Sequence, residues 1–190
     1  MRKKEGNKKQ AIFDATLRLI TERGFHATPT SLIAKEAGIA TGTLYLYFDS
    51  KNDLLNKLYI KVKTHMAEGW TEGLSSDATI QEGLELLWRN MLNHRLSYPI
   101  EFAFVEQFEN SPLLDQATLE ARREMFEPVY VLFAQALAKK VIKDMSKDIV
   151  TSLFMAPIVY FAKQHIREKT MPSEEMISIL YQGCWDAIKR

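Results

Sequence analysis

Ile33-Ala34-Lys35-Glu36-Ala37-Gly38-Ile39-Ala40-Thr41-Gly42-Thr43-Leu44-Tyr45 is the stretch on which the reading of this chain turns. Two short helices that cross steeply need a small residue where they touch. They also need a turn residue that accepts positive φ, and apolar side chains that lock the pair. Ala34 meets the first need, Gly38 the second, and Ile33, Ala37, Ile39 and Leu44 the third. The second helix then offers Thr41, Thr43, Tyr45 and Tyr47, all able to hydrogen-bond. Two tyrosines on so short a helix suit a dry core only if both hydroxyls find partners. Against DNA they contact phosphates while their rings cover sugars or thymine methyls. The bland alternative is an ordinary helical hairpin, and the run of hydroxyls argues against it.

Outward from this stretch almost every segment reads as helix, and no sustained period-two alternation suggests a strand. A first helix is expected over 8–23. Phe13, Leu17 and Ile20 make one apolar row on it, Ile12, Ala15 and Leu19 the next, and Gly24 stops it. Thr28-Pro29 reads as the N-cap and first turn of the second helix, which stops at Gly38. A third is expected over 42–48. A fourth runs from Ser50 through Leu54, Leu58, Val62 and Met66 toward Trp70. After a loop at 73–77, helices are expected at 79–97, 100–110, 115–140, 146–168 and 173–188, with Pro128 and Pro157 kinking or interrupting theirs. The expected fold is all-α: a three-helix DNA-binding head with a helix-turn-helix, and a roughly six-helix ligand-binding and dimerisation body. The expected domains are 1–50 and 51–190, joined through the fourth helix rather than a flexible linker.

Charge is uneven. Residues 1–51 carry nine Lys/Arg against five Asp/Glu, a net of +4, whereas residues 52–190 carry a net of −3. A basic head on a slightly acidic body suggests that the head meets a polyanion. No signal peptide is legible. The best apolar stretch, 153–162, is short of the ~18 residues a membrane span needs and is interrupted by Pro157. The single Cys184 fits a reducing compartment, so a cytoplasmic location is expected.

The chain resembles the TetR family of bacterial regulators. The likeness lies in residues 11–25, Ala27-Thr28, Ile33-Ala34, Ala37-Gly38-Ile39, Gly42-Thr43-Leu44-Tyr45, Tyr47-Phe48 and Ser50-Lys51-Asn52-Asp53-Leu54. It implies a homodimer that places two recognition helices in successive major grooves of a near-palindromic operator, roughly 34–36 Å apart. Carried over by position, Thr28 and Thr30 touch phosphate, Thr41, Gly42 and Thr43 reach base edges, Tyr45 and Tyr47 meet backbone or thymine methyls, and Lys51 meets phosphate. Ala40-Thr41 stands where many relatives have Ser-Lys, and Leu46 replaces a frequent aromatic. The operator sequence therefore does not follow from the resemblance. Arg2, Lys3, Lys4, Lys8 and Lys9 are available to the minor groove.

For the body, the resemblance implies a dimer made by the last two helices. Ile149, Leu153, Ala156 and Tyr160 form one stripe, and Met176, Leu180, Gly183 and Ala187 another; intramolecular core is the alternative. Trp70, Trp88, Met91, Phe104, Phe108 and Tyr130 supply large apolar groups for a pocket holding a small lipophilic effector, although aromatics at this spacing more often build core. Glu106, Gln107 or His94 are candidate polar anchors, and an acidic anchor favours a cationic ligand. The expected action is repression released by that effector. A helical small-molecule-binding or interaction protein without a specific operator is the alternative. No P-loop, GxGxxG, HExxH, GxSxG or Glu-x-x-His pair occurs, so neither an enzyme, a cofactor nor a metal is expected. His26, His65, His94 and His165 are far apart in sequence.

Overall fold

The computed structural model describes the backbone from Arg2 to Arg190 and the side chains from Asn7 onward. The side chains of Arg2, Lys3 and Lys4, expected near the minor groove, therefore lie outside the described residues. Helices follow in the order α1 (Arg2–Arg23), α2 (Thr30–Glu36), α3 (Thr41–Leu44), α4 (Lys51–Thr71), α5 (Ile80–Ser97) and α6 (Pro99–Glu109). Then come α7 (Gln116–Met125), α8 (Glu127–Ala138), α9 (Lys147–Val150), a π-helical turn (Thr151–Met155), α10 (Ala156–Glu168) and α11 (Glu174–Ile188). The all-α expectation is met. Among the described residues the only β pairing is an isolated antiparallel bridge between Ile142 and Lys189.

Local chemistry explains most of the boundaries. Gly24 and Gly38 end α1 and α2 with φ of 79° and 68°, which a Cβ would disfavour. Thr79 and Glu82 close a capping box at α5, and the Ser146 and Ser173 side chains cap α9 and α11. Pro128 separates α7 from α8. Pro157 marks an irregularity in its helix rather than a break. The missing N–H is absorbed by the π turn just before α10, so 147–168 runs as one helical stretch. That stretch of 22 residues, with mean hydropathy 1.2 over its best window, is long and apolar enough by composition to cross a membrane. Only 28% of the window is buried.

The chain divides into two units. The first comprises 1–64 and 100–122; the second comprises 65–99 and 123–190. In the first, Ile12, Ile20, Ile33, Leu44, Phe48 and Leu54 are fully buried. Phe108 packs on Phe25 and Tyr59 with ring centroids 5.8 and 5.4 Å apart, and stacks on Phe104 at 5.5 Å. Asn56 ties α4 to the loop after α6: its amide donates to the Leu113 carbonyl at 2.9 Å and accepts from the Asp115 N–H at 3.1 Å.

The second unit is built around Trp88. Its indole N–H donates to the carbonyl of Phe154 in the π turn at 3.0 Å, and its ring meets Tyr181 at 5.6 Å. Trp70 packs tilted against Phe126, ring centroids 5.0 Å apart, beneath the Arg95 guanidinium. The helix pair α4–α5 approaches closely at Gly69, where a Cβ would stand 2.6 Å from the His94 ring.

Candidate DNA-binding surface

The turn between α2 and α3 is a Schellman motif. The Ile39 N–H donates to the Ala34 carbonyl at 2.9 Å, and the Gly38 N–H to Lys35 at 3.1 Å. Ile33, Ala34 and Leu44 are buried beneath it, as the apolar spacing predicts. An Arg18–Glu36 ion pair joins the end of α2 to α1. Helix α3 is shorter than expected. After Leu44 it continues only as a turn, held by Tyr47 N–H to the Leu44 carbonyl at 3.0 Å.

This geometry leaves one side of α3 and its turn open. Thr41 and Gly42 are exposed, and Thr43 and Tyr47 are half-buried. Tyr45 is 49% exposed and Leu46 81%. The Thr30 and Tyr45 hydroxyls meet at 3.1 Å, bringing the start of α2 and the end of α3 onto one surface. Leu46 entered the sequence reading only as a departure from the usual pattern. Its exposure could not be read there, because a leucine in a helical pattern reads as core.

One expected contact is corrected. Thr28 is fully buried, and its hydroxyl donates within the unit, to the carbonyls of Gly24 at 2.8 Å and Leu19 at 3.3 Å. It ties the turn after α1 back to the helix rather than reaching phosphate. The N-cap of α2 is therefore Pro29, not Thr28. Lys51 is half-buried, and its ammonium donates to the Phe25 carbonyl. Burial pushes its pKa below the usual lysine range. Of the basic N-terminal segment, Lys8 and Lys9 are exposed, with Lys9 lying over the Phe13 ring at 5.7 Å.

Deeper in the first unit sits a polar cluster that sequence reasoning missed. Glu109 accepts from the Tyr59 hydroxyl at 2.5 Å and from Arg122 at 3.1 Å, and pairs with Lys63 at 3.4 Å. Burial alone would raise the Glu109 pKa, but Lys63, Tyr59 and Arg122 together hold it below the usual carboxylate range. Burial and the Glu109 carboxylate push Tyr59 well above the usual phenol range. The residues lie far apart in sequence, so no local pattern could disclose the cluster.

The six expected pocket residues do not converge. Phe104 and Phe108 are core of the first unit, while Trp88 and Met91 are fully buried in the second. Trp70 is also buried in the second unit, against Arg95. Only Tyr130 of the six lines a half-open cavity of the second unit bounded by α8, α9 and the π turn. Of the expected polar anchors Glu106, Gln107 and His94, none lines that cavity, whose charged residues are Arg123 and Lys147; His94 lines a separate pocket with His65, Asn90 and Tyr98. His65 and His94, distant in sequence, do meet. Their ring nitrogens lie within 4.8 Å, and both rings contact Tyr98.

The expected dimer residues stand out from the second unit. Leu153, Ala156, Tyr160 (74% exposed), Met176 and Gly183 are on its surface, and Leu180 is half-buried. Ile179 is 66% exposed beside them in sequence. A Cβ on Gly183 would meet no heavy atom within 4 Å.

Comparison with known proteins agrees with this architecture. The family model described as "Bacterial regulatory proteins, tetR family" matches residues 12–58, and that described as "Tetracyclin repressor-like, C-terminal domain" matches 80–189. The chain is 35% identical over 125 residues to the fatty acid metabolism regulator protein of Bacillus subtilis, a match covering 66% of this chain and 62% of that protein. It is 23% identical, over the full length of both, to an HTH-type transcriptional regulator of Haemophilus influenzae. The crystal structure of a TetR-family regulator from Marinobacter aquaeolei VT8 superposes over the whole of both chains, with TM-score 0.93 at 24% identity, which establishes the shared fold.

Proposed function

This chain belongs to the TetR family of bacterial regulatory proteins, and we propose from that premise that it is a homodimeric repressor released from its operator by a small molecule. The observation that carries the reading is the open side of α3. Thr41, Thr43, Tyr45 and Tyr47 lie there around the highly exposed Leu46, on a turn locked by Gly38. Hydroxyls can read base edges and phosphates, and an exposed leucine can cover a thymine methyl. In this reading residues 1–50 read DNA, and residues 51–190 hold the effector and the dimer face.

Exposed apolar residues on α10 and α11 support the dimer. A monomer gains nothing from Tyr160, Ile179 and Met176 in water, whereas a two-fold partner would bury them. It also accounts for the apolar character of the 147–168 helix without a membrane. A two-fold axis lets one short helix read two half-sites. An effector that favours the DNA-incompetent arrangement must weaken operator binding by its own differential affinity. Helix α4, which runs from the first unit into the second, is the proposed lever.

The test is an electrophoretic titration of an operator taken from an in vitro selection. Leu46→Ala and Tyr47→Ala should each weaken specific binding while the protein stays folded and dimeric. Unchanged affinity in both would remove α3 from the interface.

A further inference from the structure

We propose that the cavity of the second unit at α8, α9 and the π turn binds an amphipathic anion: an apolar chain ending in one negative headgroup. The proposal rests on the reading above that the body holds the effector. The cavity is a half-open cleft of about 340 Å³, and its walls include Val129, Phe133, Ile142, Val150 and Met155. Such walls offer a polar ligand nothing in exchange for its water, but they reward an apolar chain in proportion to the area covered. The volume lies near the floor of the roughly 300–1,000 Å³ typical of small-molecule sites, which favours a compact chain over a bulky ring system.

Charge then selects the headgroup. Arg123 and Lys147 line the same cavity and are both exposed, and among its described lining residues there is no carboxylate. The Lys147 ammonium sits 4.6 Å from the ring centroid of Tyr130, which places it beside the apolar wall. An anionic head can accept charge-assisted hydrogen bonds from both cations while its chain lies against the walls. A cationic amphiphile would meet two like charges and no counter-charge.

The cavity also lies where occupation has a consequence. Thr151 and Met155 reach it from the π turn, a type of irregularity that recurs at functional sites. The same helical stretch exposes Leu153, Ala156 and Tyr160. A ligand that seats against one side of this stretch therefore biases the dimer face on its other side.

Isothermal titration of the full-length protein with decanoate, decanol and decyltrimethylammonium, each below its micellar range, tests the proposal. Decanoate should bind saturably, decanol about tenfold more weakly for want of charge-assisted contacts, and decyltrimethylammonium not at all. An Arg123→Glu, Lys147→Glu double variant should lose decanoate and gain the cation. Ala134→Trp, which fills the cavity, should bind none of the three; thermal melts establish that both variants are folded. Decanoate binding that ignores both variants, or equal binding of the cationic probe by the unaltered protein, overturns the cavity assignment, as does the absence of saturable decanoate binding. Operator binding by the same preparations is read separately. Its absence beside the expected amphiphile pattern would count against the regulator reading and leave the cavity assignment standing.

Discussion

At the scale of single residues, Thr28 is buried where spacing suggests a surface contact, and Leu46 is exposed where a leucine in a helical pattern suggests core. A threonine before a proline reads as a cap, yet the Thr28 hydroxyl is buried against two carbonyls at the end of α1. Thr28→Val keeps the shape and leaves those carbonyls short of a donor, so it should destabilise the protein by about 1–2 kcal/mol. Operator affinity of the folded protein should be unchanged. Denaturant melts beside a DNA titration check this; normal stability with much weaker DNA binding would restore Thr28 to the interface. Leu46, by contrast, is the most exposed large apolar residue among the described residues of the first unit. Replacing it with alanine should weaken specific operator binding about fivefold, a single methyl contact's worth, while leaving salt-driven non-specific binding unchanged.

At the scale of elements, the sequence told most where punctuation was strong. Gly24 and Gly38 put helix ends within a residue or two of where they fall. The stripe of Leu153, Ala156 and Tyr160 does share a face, and that face is open. Reading failed where long-range packing decides. Phe104 and Phe108 obey helical spacing, but spacing cannot say which core an apolar face joins, and they belong to the first unit. Pro157 was legible as an irregularity but not as a π turn, because the local backbone depends on packing from distant residues such as Trp88, whose indole N–H donates to the Phe154 carbonyl in the turn. Gly183→Leu tests the open face of α11. The new side chain meets nothing within its own chain and improves helix propensity by up to about 1 kcal/mol, so a monomer should melt no lower. A dimer using this face should dissociate, and sedimentation velocity would show it. A variant that remains dimeric removes Gly183 from the interface.

The cluster linking α4, α6 and α7 through Glu109 adds a pH dependence. The Glu109 pKa is depressed in the folded state, so its contribution is present above the unfolded value of about 4.3 and is lost as pH falls through the lower folded value. Glu109→Gln should cost about 1 kcal/mol near neutrality, a figure kept small by its partial exposure, and should flatten the acid limb of the stability profile. Chemical denaturation at pH 7 and pH 3 reads both. An equal penalty at the two values would show that the carboxylate charge contributes nothing.

For the whole molecule, a seven-residue helix and a four-residue helix joined by a tight turn offer few side chains to DNA. Specificity from so small a surface requires it to be used twice, which joins the open face of α3 to the open faces of α10 and α11. The most direct measurement is selection of bound duplexes from a random DNA pool at moderate salt, read by sequencing. The account predicts an enriched near-palindrome whose half-site centres lie about one helical turn apart. Binding that is only salt-sensitive, with no enriched motif or with a single unrepeated half-site, would contradict it.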